Sequence, residues 1–388
     1  MTTLHRGPAP VAGPPTAADD DLDWLADVLG TVSGRRRTYV ARPATGPVEL
    51  LIPARPAAVA VGALHRTSDD RGRAQRLSAS LARRAAGLGA LPLAPGRRLE
   101  LPPYELVDEL GRALGEDDVV AAITLGPRRR NRKPVLQLLR PDGQTVGFAK
   151  VGWSHLTGAL VANEAEVLRL VAGHLPPIVA APRVLHRRRW RGAEVAVTTP
   201  LPLAGRRRRS AVSPYDVMTA VARVGRRRAA VAELAPVAEW TGYGLGRHVD
   251  LDRLLERHGG VELDVGLWHG DLTPWNMATV DDAVAVWDWE FAGLDRPAGF
   301  DALHRRFERL RRGRMDAGTA LRTVIATAHE IVAPLRVPTT PDGLRSVTDL
   351  YLCELLSREL RLTDQRWANE AMAAVGPAAA TLLAERLR

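Results

Sequence analysis

Apolar positions along the chain follow two different periods, and the change between them marks out its elements. Asp23 to Leu29, closed by Gly30, has the spacing of a short helix with a glycine stop. TYVARP and PVELLIPA then alternate as extended segments, and Gln75 to Leu91 reads as an Ala/Leu/Arg helix. From Val119 the two-residue period takes over in VVAAITLGP and PVLQLLRPDGQTVGFAKVGW, where Asp142-Gly143 is a turn between two runs of strand character. This pattern predicts a small antiparallel sheet. A helix follows over about Ala159 to Ala172, and AEVAVTTPLP is a further strand that runs into Pro200 and Pro202. Beyond it the pattern is mostly helical, interrupted by the extended piece ELDVGLW and the motif it leads into. There is no internal repeat.

These changes of pattern divide the chain into a disordered lead over 1–20, an N-terminal module over 21–110, a sheet-bearing segment over 111–200 and a mainly helical segment over 201–388. With 388 residues, 46% of them hydrophobic, the chain can bury a sizeable core. The lead is rich in Pro and Gly and has no apolar stretch of the secretory type, and no low-charge run is long enough to span a bilayer, so a soluble protein is expected. A single cysteine, Cys353, excludes an internal disulfide and a cysteine-only metal site and fits a reducing cytoplasm.

Charge sharpens the picture in one place. The net charge of +10 falls almost wholly before Leu201 and comes in arginine runs, at 128–130 with Arg132, at 187–189, at 206–209 and at 226–228. No aromatics interleave with them and no nucleic-acid-binding motif accompanies them, so they read as solvated faces and loops rather than a nucleic-acid groove. Of 54 basic residues only Lys133 and Lys150 are lysines. A retained lysine offers a compact charge that can sit at one phosphate oxygen, unlike the planar arginine fork. On the following helix, Leu160, Val167, Leu168 and Val171 form the apolar stripe, and Glu164 lies on it while Glu166 points away. A carboxylate on a buried face needs a cationic partner, and Lys150 is the nearest along the chain.

The densest chemistry is WHGDLTPWN at 268–276, with WDWE beginning at Trp287. Met277 to Thr279 and Val284 to Trp287 flank a turn at Asp281-Asp282, and a two-residue hairpin in that register brings Asn276 alongside Trp287 and Asp288. An amide oxygen converging with a carboxylate is a hard-oxygen site of the kind magnesium takes. Asp271, earlier on the same loop, is placed to accept a proton from a substrate hydroxyl. His269 is expected to hold the loop backbone rather than to transfer protons.

H-G-D-x-x-x-x-N followed by a strand and D-W-E resembles the catalytic loop and metal acid of the aminoglycoside and choline kinase-like phosphotransferases, and the resemblance covers roughly Val119 to Arg388. It implies an α+β, bilobal protein-kinase-like fold: a small antiparallel-sheet N-lobe over 111–200 and a mainly helical C-lobe over 201–388, with residues 21–110 as an additional module. It implies ATP and Mg2+ as cofactors, Asp271 as catalytic base, Asn276 and Asp288 as metal ligands, and Lys150 as the phosphate-binding lysine paired with Glu164. By the same resemblance Asp301 buttresses the catalytic loop, TTPLP is the hinge that cradles adenine, and LGPRRRNRKP is the nucleotide loop, although it has one glycine and no Walker-type pattern. Trp275 stands where a small residue is expected and narrows the acceptor pocket. The function expected is phosphate transfer from ATP to a hydroxyl of a small molecule: a sugar, amino alcohol, aminoglycoside or other natural product. A catalytically silent kinase-like scaffold would lack the base, the metal acid or the lysine, and none is missing. A metal-dependent hydrolase using His269 and Asp271 would need a second His-rich motif, which the sequence does not contain.

Overall fold

The computed structural model describes residues 18–66, 97–128, 131–203, 211–337, 340–363 and 374–388. The expected lead before residue 18, the helix read over Gln75 to Leu91 and the arginine run at 206–209 lie outside the described residues. The chain forms two compact units, Met1–Ala165 with Pro182–Ala204, and Glu166–Ala181 with Gly205–Arg388.

In chain order the described elements up to Thr198 are α1 (Ala18–Leu29), β1 (Arg37–Arg42), β2 (Leu50–Pro53), α2 (Ala57–Arg66), β3 (Arg97–Leu101), α3 (Glu105–Leu114), β4 (Val120–Thr124), β5 (Val135–Leu139), β6 (Thr145–Gly152), α4 (His155–Val171), β7 (Val179–Ala180), β8 (Val184–Trp190) and β9 (Ala193–Thr198). All the strands among these except β7 form one antiparallel sheet in the order β3-β1-β2-β4-β5-β6-β9-β8. Because β2 pairs with β4, the sheet is continuous across the boundary expected near residue 110. Strand alternation supplies both of its faces. Tyr39, Ala41, Ala121, Ile123, Leu136 and Leu138 pack with Trp24, Leu25 and Leu106 on one side. Val40, Ile52, Val120, Ala122 and Leu139 pack with Val59, Ala63 and Leu64 of α2 on the other. Gly143 closes the β5–β6 turn at φ +86°, and a Cβ there would lie 2.2 Å from the Ala58 carbonyl oxygen, so α2 can reach this turn only over a glycine.

The second unit begins with the end of α4 and β7 and continues through α5 (Pro214–Ala222), β10 (Arg227–Ala230), α6 (Ala235–Gly242), α7 (Leu251–His258), β11 (Glu262–Trp268), β12 (Met277–Val280), β13 (Ala283–Val286), β14 (Gly293–Pro297), α8 (Phe300–Arg312), α9 (Ala317–Ala326), α10 (Ala328–Val332), α11 (Pro341–Thr363) and α12 (Val375–Leu387). Its strands make two small sheets, β10-β11-β14 and β12-β13-β7, and helices account for most of the rest. Polar groups tie these helices together. His258 Nε2 lies 2.9 Å from Asp349 Oδ2, and its Nδ1 lies 2.9 Å from Ser346 Oγ. This Ser–His–Asp line is fully buried, so it joins α7 to α11 and is shut off from any substrate. Among the described residues no helix is long and apolar enough to cross a membrane.

The arginine runs at 187–189 and 226–228 go to carboxylates. In the first unit Arg187 and Arg189 meet Glu194 and Arg188 meets Glu109; in the second Arg226, Arg227 and Arg228 meet Asp264, Asp295 and Glu262. The expected nucleotide loop is committed in the same way. Arg132 is 3% exposed and gives Nη1 to Asp21 Oδ1 at 2.7 Å and Nη2 to the Val48 carbonyl at 2.9 Å, with its guanidinium 5.6 Å from the Trp24 ring centroid. Arg128 adds a second contact to the same Asp21 oxygen at 3.1 Å. Breaking a buried pair from one side leaves an uncompensated charge, so Asp21→Ala is expected to lower the unfolding free energy by about 3–5 kcal/mol. Adding Arg132→Met should restore most of that loss. Denaturant titration of the two variants measures both, and an unchanged midpoint in Asp21→Ala would contradict this role.

Candidate active site

The sequence places Lys150 on β6 and Glu164 on α4, and the structure joins them. Lys150 Nζ lies 2.6 Å from Glu164 Oε2, with the carboxylate 5% exposed on the buried stripe of α4 and Glu166 exposed. The pair belongs to the first unit.

The remaining candidates are in the second unit, on the loop that leaves β11. Asp301, in the first turn of α8 and 6% exposed, accepts the His269 N–H on Oδ2 at 2.9 Å and the Gly270 N–H on Oδ1 at 3.1 Å. Burial pushes its carboxyl up to about 6, against the pull of those two backbone bonds. Gly270 sits at φ +82°, and a Cβ there would stand 2.4 Å from the Phe291 carbonyl oxygen, so the turn admits glycine alone. His269 Nδ1 accepts the Asp271 N–H at 3.2 Å, which leaves the ring proton on Nε2 to be donated to the Trp287 carbonyl, also 3.2 Å away. Both ring nitrogens are therefore used in holding the loop, as expected for His269.

A residue that sequence reasoning missed closes the turn from the other side. Arg358 on α11 donates Nη2 to the Gly270 carbonyl at 2.9 Å, and its guanidinium lies over Phe291 at 4.5 Å and Trp268 at 5.1 Å. In a chain so rich in arginine no single one stands out by type, and Arg358 reaches Gly270 across 88 positions.

The hairpin has the expected register, with Thr279 opposite Val284 and Val280 opposite Ala283. The Trp287 N–H continues the ladder to the Asn276 carbonyl at 3.1 Å, which sets Asn276 one residue from Asp288 in the facing strand. Asp288 adopts a left-handed backbone at φ 72°, uncommon for a residue with a side chain and frequent where function fixes the geometry. Asn276 Nδ2 donates to Asp271 Oδ2 at 2.8 Å and to the Asp271 carbonyl at 3.0 Å. With two acceptors fixing its amide nitrogen, the Asn276 side-chain oxygen is the atom left for a cation. An amide oxygen and the Asp288 carboxylate are a hard donor set that suits Mg2+.

Asp271 stands in an unusual field. Burial first and the Asp288 charge second push its carboxyl up to about 8, with Glu308 adding and Arg358 and Asn276 opposing. The Asp288 contribution is the one a bound cation would neutralise. His304 Nε2 approaches Asp271 Oδ1 to 3.9 Å, but burial holds the His304 pKa well below its ordinary value and Nδ1 is engaged 3.0 Å from the Tyr351 hydroxyl, so this is no ion pair.

Of the acids that cluster in sequence after the motif, Asp301 is buried under the loop, Asp295 is bound to Arg227, and the buried Glu290 offers a carboxylate oxygen within 4.8 Å of one on Asp288. Trp275 is covered by the Arg312 guanidinium at 4.0 Å from its ring centroid.

No family model matches the sequence, and no curated protein matches it. Among solved structures, it is similar to a thermostable mutant of aminoglycoside phosphotransferase APH(4)-Ia in ternary complex with ADP and hygromycin B, at 15% identity over 73% of this chain and 99% of that one, with a TM-score of 0.47. It is similar to LicA in complex with AMP at 13% identity over 73% and 98% of the two chains, with a TM-score of 0.45. It is also similar to amicoumacin kinase hAmiN in complex with AMP-PNP, Ca2+ and Ami, at 13% identity over 73% and 94%, with a TM-score of 0.42.

Asp301 carries a pH signature. Its carboxyl is raised in the folded chain to about 6, above the unfolded value of about 3.9, so folding takes up a proton between these values and this group stabilises the chain more as pH falls. The stability difference between the wild type and Asp301→Asn should therefore move in favour of the wild type as pH drops from about 7 to about 4. Unfolding measured across that range checks it, and a difference independent of pH contradicts it.

Proposed function

We propose that this chain is an ATP- and Mg2+-dependent phosphotransferase that moves the γ-phosphate to a hydroxyl group of a small molecule. The observation that carries this reading is the Asp271–Asn276 contact at 2.8 Å on a loop whose turn is fixed by Asp301 and Arg358. One oxygen of the carboxylate is held, and among the described residues the other faces no hydrogen-bond donor closer than His304 Nε2 at 3.9 Å. That oxygen takes the proton of the acceptor hydroxyl as the hydroxyl oxygen bonds to the γ-phosphorus, the bond to the β-γ bridging oxygen breaks, and ADP leaves. Lys150, held by Glu164, orients the nucleotide phosphates. Asn276 and Asp288 would hold a magnesium ion, which when bound would supply charge neutralisation at the phosphate oxygens. Catalysis in this scheme is positioning and electrostatics. We place the protein in a reducing cytoplasm, consistent with its single, buried Cys353.

The acceptor class is open between sugars, amino alcohols, aminoglycosides and other natural-product hydroxyls. Transfer of labelled γ-phosphate from ATP to a panel drawn from these classes tests the reading. Magnesium-dependent transfer to at least one acceptor is expected, abolished in Asp288→Ala with the fold intact by circular dichroism. Nucleotide binding with no transfer to any acceptor supports instead a kinase-like binding protein. Lys150→Arg should not behave conservatively, because the planar fork cannot take the point-charge position beside Glu164. A raised KM for ATP or a lowered kcat is expected, and unchanged values would remove Lys150 from the site.

A further inference from the structure

A concavity lies in the second unit, lined by none of the residues assigned to phosphate transfer. It has a volume of about 520 Å3, within the usual range for small-molecule pockets, and Lys150, Asp271, Asn276 and Asp288 do not line it. Tyr215 and Ala222 of α5, with Ala298, Pro334 and Val337, supply its accessible apolar surface, over a floor of buried Met218, Trp268 and Phe300. Arg223 and Arg336 also line it and are both exposed. Two other charges there are committed. Asp216 closes the capping box of α5 with Ser213, and Arg226 is held by Asp264 at 3.0 Å. Asp301 spends its carboxylate on the His269 and Gly270 N–H groups. Neither Arg223 nor Arg336 has a side-chain hydrogen bond or ion pair among the described residues; Arg336 is felt by Asp216 only through its charge.

Arg336 has a further oddity. It follows the short turn at Ala333–Leu335 with φ 54°, a left-handed backbone where glycine is the unstrained choice. A bulky side chain in a strained position, with a guanidinium unpaired among the described residues at the edge of a partly apolar cavity, is a combination that packing does not account for.

We propose that this cavity is a binding site for a small organic anion, one with an aromatic or apolar body and a single carboxylate, sulfonate or phosphate head. The body packs against Tyr215, Ala222, Ala298, Pro334 and Val337, and the head is taken by Arg223 and Arg336. Charge-assisted contacts from two arginines fix the orientation, and the mixed lining excludes both simple salts and uncharged hydrocarbons as tight ligands. Trp268 and Asp301, both buried, lie beneath this cavity and also next to the His269–Gly270 turn, so an occupant sits over the residues from which the candidate catalytic loop is hung.

Anilinonaphthalene sulfonate is a suitable probe, because it joins an aromatic body to one anionic head and fluoresces when shielded from water. Titrated against the full chain, it should bind saturably at one site per chain. Arg336→Gly removes the guanidinium and relieves the left-handed strain, so it should weaken the probe about tenfold while leaving the unfolding midpoint unchanged or raised. Arg336→Gly with Arg223→Ala should weaken it further, and Ala222→Trp, at the cavity wall, should abolish binding. Phenylnaphthylamine, which has the same body without the head, separates charge from hydrophobicity and should bind at least about tenfold more weakly. Competition by naphthoate and by naphthyl phosphate ranks the two natural head groups, and displacement by either supports the site. Equal probe affinity in the wild type and the double arginine variant overturns the proposal, as does equal affinity for the neutral amine or titration without saturation.

Discussion

Asp301 accepts the backbone N–H groups of two consecutive residues, His269 and Gly270, and the placement of every other group on the loop follows from that fixed turn. Two buried donors pointing the same way are costly to leave unpaired, and a carboxylate is the side chain that satisfies both at once. With the two amides pinned, the Gly270 backbone must enter the left-handed region, and its carbonyl turns outward to meet Arg358. The His269 ring then bridges the Asp271 amide and the Trp287 carbonyl, joining the loop to the strand that carries Asp288. Asp271 is held by its neighbours through backbone as well as side chain, which is what a group must have if its carboxylate is to stay within hydrogen-bond reach of a substrate.

Several arginines in the runs of this chain hold structure, so the runs say little about function. The arginines at 187–189 and 226–228 meet carboxylates, and Arg128 and Arg132, in the stretch that resembles a nucleotide loop, are spent on Asp21. The lysine paired with Glu164 stands apart from them in type. An arginine would fill the same space with a wide planar fork suited to bidentate contact, whereas a lysine leaves a compact charge that Glu164 can steer.

Much of this was legible in the sequence because it rested on period and register. Glu164 was marked by lying on an apolar stripe, and the hairpin register by the two-residue turn at Asp281-Asp282, and both appear in the structure as read. The sheet of the first unit followed from alternation, but its extent did not: nothing local in TYVARP or PVELLIPA says that they join the strands beyond Val119 rather than a sheet of their own. The contacts that escaped are those that join distant positions through a common residue type. Arg132 meets Asp21 across 111 positions and Arg358 meets Gly270 across 88, and no spacing rule connects such pairs. The pocket at Arg223 and Arg336 escaped for the same reason, since α5, the end of β11 and the start of α8 meet only in three dimensions.

The separation of binding from chemistry at Asp271 tests the central claim most directly. Asp271→Asn keeps the size of the side chain and removes its basic oxygen. Base catalysis of this kind contributes about 10²- to 10⁴-fold, so the single-turnover rate of phosphate transfer, measured at saturating ATP, magnesium and acceptor, should fall by that order while the affinity for magnesium–ATP stays within about threefold of wild type. A variant that binds magnesium–ATP poorly yet transfers at the wild-type rate once saturated would show Asp271 to be a ligand or a structural group, and would contradict the catalytic role given to it here.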